Sequence, residues 1–195
     1  MRLIINLILT AIIVGLVWML ISSIREPIEF QEVRVKRERA VVEKLMEIRN
    51  AQEMFRSITG IYANSFDTLS YVLKNDSFMI VAVIGDPDDP NFTGEITYDT
   101  TYSRAIDSIR AIGMALDSLK YVPYSASIAD TFSIAADVIT YQSTEVPVCE
   151  VGVRRKVFMG KFADKRFARY DNSYDPNSIL KFGNLNAPNL SGNWE

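Results

Sequence analysis

The sequence predicts an α+β protein with an N-terminal transmembrane helix, a long amphipathic helix, and then a mainly antiparallel sheet with a second helix. Three observations support this prediction. Residues 3–24 carry no charge, a helical spacing of apolar residues continues to Thr59, and short apolar or alternating runs between turn residues dominate the remainder. We therefore divide the chain into an anchor at residues 1–26, an amphipathic stalk helix at residues 27–60 and an α+β globular domain at residues 61–195.

The anchor is the uncharged apolar run from Leu3 to Ile24. As a helix it would extend about 33 Å, which is enough to cross a hydrocarbon layer of roughly 30 Å. The alternative is a cleaved signal peptide, whose apolar core usually has about 7–15 residues and precedes a small-residue cleavage site. The longer run, and the poor cleavage site in LISSIREP, favour a retained single-pass helix.

Two indications of membrane orientation disagree. Lys and Arg near the ends of a span mark the cytoplasmic side. One such residue, Arg2, precedes the run, whereas several follow it: Arg25, Arg34, Lys36, Arg37 and Arg39. The rest of the chain is rich in Tyr, Asn, Ser, Asp and Thr, which suits an extracytoplasmic domain, and long domains are often translocated regardless of charge. We predict an inner-membrane protein with a periplasmic C-terminal domain, against the charge count.

The amphipathic helix is predicted from Val33 to Thr59, after a break at Pro27. Its apolar stripe consists of Val41, Leu45, Ile48, Ala51, Phe55 and Ile58. Such a stripe either packs on the following sheet or forms a seam between the subunits of a homo-oligomer. It holds for less than three heptads, which favours packing for the lower half of the helix. Gly60 is the expected stop of this helix.

The globular part contains shorter predicted elements. Asn64 or Ser65 caps a helix over residues 66–77, and FMIVAVIG, which ends at Gly85, is predicted as a buried strand. EITYDTTY is a strand or an extended loop. A second helix is predicted from Ser103 to Lys120. The later strands are predicted at YVPYS, TFSIAADVITY, VPVCEVGVR and ILKFGNL, while residues 156–170 suggest a strand followed by a helix.

Composition and motifs argue against catalysis. The chain has no histidine, and its one cysteine, Cys149, lies in an apolar stretch where it is expected to be a small buried hydrophobe. The sequence holds no nucleophile elbow, phosphate loop, zinc spacing or dinucleotide fingerprint. The net charge of −3 disfavours nucleic-acid binding. We predict a non-enzymatic protein with no catalytic, cofactor-binding or metal-binding residues and no nucleic-acid partner.

Two acidic segments are candidate calcium sites. The first contains Asp86, Asp88 and Asp89, with Glu95 or Asp99 nearby. Carboxylate oxygens suit calcium, but aspartates beside prolines also initiate solvated turns, and we favour the turn. The second, DNSYDPNSILKF from Asp171, has Pro176 and Phe182 where an EF-hand requires glycine and glutamate, so an EF-hand is rejected.

The segment from Arg154 to Arg169 mixes cations with aromatic residues. Its cations are Arg154, Arg155, Lys156, Lys161, Lys165, Arg166 and Arg169, and its aromatic residues are Phe158, Phe162 and Phe167. Such a mixture could bind nucleic acid or anionic lipid. We favour an arrangement in which the aromatic rings face the core and the cations are solvated or paired with acids. A surface that docks a protein partner is the best functional alternative.

The first third of the chain resembles type IV pilin-like proteins, especially the pseudopilins of secretion systems. The resemblance rests on IRNAQEMFRSITGIYANSFDTL, which has the layout of a long first helix, a Gly-x-Tyr turn and a following short helix. The matching residues are Ala51, Phe55, Gly60, Tyr62, Phe66 and Leu69. It implies an envelope-spanning structural subunit. The chain lacks the basic leader, the peptidase site and the early helix glutamate of a pilin precursor, so a bitopic assembly-platform protein fits as well.

These features together predict a non-catalytic structural or assembly component of a bacterial envelope complex, such as a secretion or pilus-like system. Its expected partners are the membrane and other envelope proteins, and a homo-oligomer remains open. In this hypothesis the amphipathic helix sets the distance of the domain from the bilayer. The alternative is a membrane-tethered enzyme or ligand-binding or metal-binding domain that uses acids such as Asp86 and Asp88.

Overall fold

A computed structural model describes residues 2–84 and 97–195 and confirms the α+β class. The α-helices in the described residues are α1 (Arg2–Thr59), α2 (Phe66–Asn75), α3 (Ala105–Ala111) and α4 (Arg155–Phe158). The strands are β1 (Ser77–Ile84), β2 (Thr97–Arg104), β3 (Ser133–Tyr141), β4 (Thr144–Arg154) and β5 (Ile179–Gly183). Short 3₁₀ helices lie at Leu116–Ser118, Gly160–Phe162 and Lys165–Arg169.

Helix α1 is continuous over 58 residues, so the predicted break at Pro27 is wrong. A proline inside a helix removes the hydrogen bond to the carbonyl four residues earlier, here that of Ser23. Tertiary contacts hold the chain on both sides of the proline, because Glu26 before it is bound by the domain and Phe30 after it is fully buried. The apolar run and the amphipathic helix therefore form one element.

The predicted apolar stripe of α1 faces the core. Val41, Leu45, Ile48 and Ala51 are completely buried, Phe55 is buried and Ile58 is half-buried. These side chains share one hydrophobic cluster with residues of the second sheet, including Val151, Leu180 and Phe182. The stripe therefore packs within the chain, which was the favoured interpretation. The division into three parts at residues 26 and 60 stays a prediction.

The turn after α1 is fixed by a buried side chain. Gly60 follows the helix with a φ of 82°, as predicted for its stop. The Nε2 of Gln52 donates to the carbonyl of Ala63, and its Oε1 accepts from the amide of Ala63, both at 2.9 Å. Ser65 then caps α2, since its hydroxyl accepts from the amide of Thr68 at 3.2 Å. Through these two hydrogen bonds, Gln52 of α1 fixes the position of the segment that precedes α2.

Strands β1 and β2 form a two-stranded antiparallel sheet, with Ser77 opposite Arg104 and Ile84 opposite Thr97. The prediction of a buried strand here is wrong. Met79 is 63% exposed and Ile80 is 51% exposed. Phe78 packs on the core, but residues 79–82 of this apolar run lie at the surface, because no second layer covers them in the described residues. Its predicted end at Gly85 lies outside the described residues.

The other sheet has the order β3-β4-β5 and is antiparallel throughout. A two-residue turn joins β3 to β4, and both Gln142 and Ser143 have the positive φ that a type I′ turn requires. Pro147 lies opposite Val138, on the part of β4 that extends beyond β5. Its missing amide therefore faces no strand partner in the described sheet, which explains why proline is tolerated there.

Two further predicted elements are corrected. The helix expected over residues 103–120 is limited to α3, because Gly113 adopts a φ of 70° and ends it, and Ser103 lies in β2 instead of capping the helix. The strand expected at YVPYS is absent from the described sheets. Tyr121 makes a single bridge to Thr131, and Tyr124 has a φ of 59°, which interrupts an extended chain.

Candidate functional site

The apolar start of α1 is uncovered. Its large hydrophobic side chains are between 44% exposed at Ile21 and 78% exposed at Leu3. By length and composition, α1 is the helix of the described residues that could cross a membrane. An apolar surface of this size marks a site that meets a membrane or another protein.

An aromatic cluster joins the domain to α1 directly beyond this run. Phe30 stacks on Phe167 with ring centroids 5.8 Å apart and meets Phe162 and Tyr174 edge-on at 5.6 and 5.0 Å. Phe162 and Phe167 also contact each other at 4.9 Å. Residues 156–170 fold as short helical turns here, in place of the predicted strand and helix. The predicted burial of Phe162 and Phe167, and also of Phe158, is confirmed.

Cations of the same segment bind acidic residues of α1. Arg169 donates to Glu26 at 3.1 Å, and the hydroxyl of Tyr170 donates to the same carboxylate at 2.5 Å. Lys161 pairs with Glu29. The hydrogen bond from Tyr170, followed by the charges of Arg169 and Arg166, lowers the pKa of Glu26. These contacts confirm the predicted pairing for Lys161 and Arg169.

A second group of charges lies one to three turns further along α1. Arg34 pairs with Asp171 and also contacts Glu38 at 3.3 Å, while Arg155 binds Glu38 at 2.7 Å. The hydroxyl and the amide of Ser173 donate to Asp171 at 2.6 and 2.8 Å. These bonds, with weaker help from Gln31 and the charge of Arg34, lower the pKa of Asp171 to about 2. We call the contacts between residues 26–38 and 155–174 the clamp.

The clamp predicts a specific loss of stability in acid. Because the pKa of Asp171 is lower in the folded chain than its ordinary value of 3.8, its contribution is complete above about pH 4 and disappears as the pH falls toward 2. Asp171→Asn should therefore lower the urea midpoint at pH 5–7 and have little effect at pH 2. Ser173→Ala should reproduce part of this pH dependence. A difference between wild type and Asp171→Asn that does not change with pH would contradict the assignment.

We did not predict from the sequence that α1 faces the domain between Phe30 and Val41, although the residue spacing indicates it. Phe30, Arg34, Arg37 and Val41 are separated by 4, 3 and 4 residues, which continues the spacing of the apolar stripe. Because Arg34 and Arg37 are charged, the apolar pattern is interrupted at two positions of the same helix face. Both face inward, since Arg34 binds Asp171 and Arg37 donates to the carbonyl of Phe158 at 2.6 Å.

The sheet of β1 and β2 is a second exposed apolar surface. Met79 lies opposite Tyr102 and Val81 lies opposite Thr100, so alternate residues place Met79, Val81, Tyr98 and Tyr102 on one face. Tyr98 and Tyr102 are 67% and 69% exposed. We call these four residues the hairpin face. Each strand has one edge that pairs with no other strand in the described residues.

The structure describes only some of the candidate ligand residues that the sequence offers. Asp86, Asp88, Asp89 and Glu95 lie outside the described residues, and Asp99 is exposed on β2. Within residues 2–84 and 97–195, no three His, Cys, Asp or Glu side chains are grouped to hold a metal ion. Cys149 is buried as predicted, and burial raises its thiol pKa to about 12, which makes it a poor nucleophile.

Comparisons with protein-family models, with curated proteins and with solved structures find no match to this chain. The structure has the coarse layout of a long apolar N-terminal helix followed by an α+β domain. No family match supports the finer resemblance to pilins or pseudopilins, which therefore stays a prediction.

Proposed function

We propose that this chain is a single-pass inner-membrane protein that acts as a non-catalytic structural or assembly component of a bacterial envelope complex. One observation carries the proposal: an exposed apolar run continues without a break into the central helix of the domain. A span that merely tethers an enzyme needs no such continuity. In this proposal the continuous helix couples the position of the domain to that of the span, as a scaffold requires.

The domain is held close to the bilayer in this proposal. The clamp begins at Glu26, and Phe30 is already in the core. Since Glu26 lies about 3 Å along the helix from Ile24, the end of the domain would reach the lipid headgroups. The hairpin face then offers an apolar surface to a neighbouring envelope protein, because exposed aromatic and methionine side chains are enriched at protein interfaces.

Anchoring and orientation can be tested together. The protein should stay in the membrane fraction during alkaline extraction and leave it in detergent. Ala126→Cys places an exposed thiol on the domain, and an impermeant maleimide should label it in intact spheroplasts if the domain is periplasmic. Buried Cys149 serves as the internal control, which should react only after denaturation. Release by alkali would contradict the anchor, and labelling only after lysis would place the domain in the cytoplasm.

Docking by the hairpin face can be tested by photo-crosslinking in cells. A photoreactive phenylalanine at Tyr102 should give one discrete product with a second envelope protein. The same probe at Tyr71 on α2 is the matched control, because that side chain is 68% exposed and therefore as accessible as Tyr102. A product that contains two copies of this chain would instead show a homo-oligomer. Equal products from both positions would contradict docking at this face.

A further inference from the structure

We propose that the membrane-facing end of the domain binds the headgroups of anionic phospholipids. The binding surface is a cationic rim made of Lys165, Arg166 and Arg169 from the last 3₁₀ helix. This inference rests on the membrane anchoring proposed above. It extends that proposal by naming a ligand class and the residues that recognise it.

The clamp places the rim at the correct depth. Arg169 and Tyr170 both bind Glu26, which is two residues beyond the end of the apolar run at Ile24. Two residues of helix correspond to about 3 Å. The headgroup region on each side of the hydrocarbon is roughly 5–7 Å thick. Arg169, which binds Glu26, and Arg166, whose charge acts on Glu26, therefore lie within the layer that contains the lipid phosphates.

The charges of the rim favour an anionic lipid. Lys165 and Arg166 are exposed, and neither makes an ion pair with any described residue. The guanidinium of Arg166 lies 4.6 Å from the ring centroid of Phe167, which orients it and leaves its other face open. The carboxylates of Asp164, which accepts from the amide of Arg166, and of Glu26, which binds Arg169, offset part of the charge of the three rim cations but not all of it. The rim thus keeps positive charge that a zwitterionic headgroup would not neutralise.

A groove connects the rim to the apolar run. It has a volume of about 580 Å³ and is lined by Met19, Ser23, Glu26, Arg169 and Tyr170. Met19 lies about 8 Å below the end of the run, at the depth of the acyl chains. The groove therefore presents the Met19 side chain at acyl-chain depth and the Arg169 guanidinium, which is paired with Glu26, at phosphate depth. This order matches a phospholipid, in which a phosphate tops a hydrocarbon chain.

The test uses the full chain, purified in detergent and freed of lipid, with native mass spectrometry as the readout. Phosphatidylglycerol and phosphatidylcholine are titrated separately. We expect tighter binding of phosphatidylglycerol. The double variant K165Q/R166Q should weaken it about 25-fold, at roughly fivefold per cation near an anionic surface. The matched control R39Q/R110Q removes the same charge from exposed positions outside the rim and should leave binding unchanged.

The possible outcomes distinguish failure of the lipid site from failure of the membrane anchor. Equal affinity for the two lipids, or unchanged phosphatidylglycerol binding in K165Q/R166Q, would overturn the lipid site even if the chain resists alkaline extraction. Release of the chain by alkali would overturn the anchor itself. Displacement of phosphatidylglycerol by millimolar inorganic phosphate would identify a phosphate site instead of a lipid site. Matching circular dichroism spectra of the variants would show that their folds are intact.

Discussion

Gln52→Leu is expected to destabilise the fold by about 2–6 kcal/mol, because two buried backbone groups of Ala63 would lose their partner and each unsatisfied group costs about 1–3 kcal/mol. The side chain of Gln52 is fully buried and bonds to both the amide and the carbonyl of Ala63. Urea unfolding of the detergent-solubilised chain, followed by near-ultraviolet circular dichroism, measures the change in the free energy of unfolding.

Two variants make this prediction specific. Asn50→Leu makes the same kind of replacement at an exposed position of α1 and should change the free energy of unfolding by less than about 0.5 kcal/mol. Gln52→Glu can still accept from the amide of Ala63 but can donate to its carbonyl only when protonated. Burial raises the pKa of such a carboxyl, so its deficit should shrink as the pH falls. Equal stability of Gln52→Leu and Asn50→Leu would contradict the proposed role.

Phe30→Ala is expected to cost about 3–5 kcal/mol, the usual range for removing a fully buried aromatic ring. Phe30 has no exposed surface and contacts Phe162, Phe167 and Tyr174. The variant should lower the free energy of unfolding of the whole domain and also loosen residues 158–170 locally. Hydrogen exchange at residues 158–170 should accelerate, because the rings of Phe162 and Phe167 in these turns pack directly on Phe30. Unfolding and exchange measurements on the detergent-solubilised chain test both parts.

Ile28→Ala is the matched control for Phe30→Ala. Ile28 is 61% exposed and lies on the same turn of α1, so its truncation should have a small effect on unfolding. A comparable loss of stability in both variants would mean that the turn itself, and not the aromatic cluster, carries the energy. An unchanged exchange rate at residues 158–170 in Phe30→Ala would contradict the clamp.

The elements that depend on near neighbours in the chain were predictable. The stripe of α1, its stop at Gly60 and the cap of α2 at Ser65 are all confirmed. A helix face is set by spacing within a few turns, and a cap is set by one side chain and the next three amides. The last strand, β5, is likewise confirmed, as are the strands β3 and β4.

The errors arise where distant packing outweighs a local preference. A proline within a helix costs about 3 kcal/mol, and burial of an aromatic ring such as Phe30 is worth a similar or larger amount. Packing can therefore carry α1 through Pro27. For β1, the local pattern predicts a burial that the packing of the chain does not provide. An apolar run predicts a strand, but its burial depends on whether another layer covers it, and none does in the described residues.

The candidate site shows the same limit. The sequence indicated that the cations of residues 154–169 would be solvated or paired, and the structure has both kinds. It could not indicate that Arg169 meets Glu26 or that Asp171 meets Arg34, since these partners are separated by 143 and 137 residues. Nor could it show that the rim lies beside the apolar run, because that position depends on the same contacts.

By itself, the sequence determined the α+β class, the uncharged run of residues 3–24 and the inward face of α1, because composition and periodicity are local properties of the chain. Only the tertiary structure decided that α1 is continuous through Pro27, that the hairpin face is exposed, and that residues 155–174 close onto the beginning of the amphipathic helix. Those features depend on which surfaces meet across more than a hundred residues, and hydrophobic burial and ion pairing select among many such arrangements only when the whole chain packs.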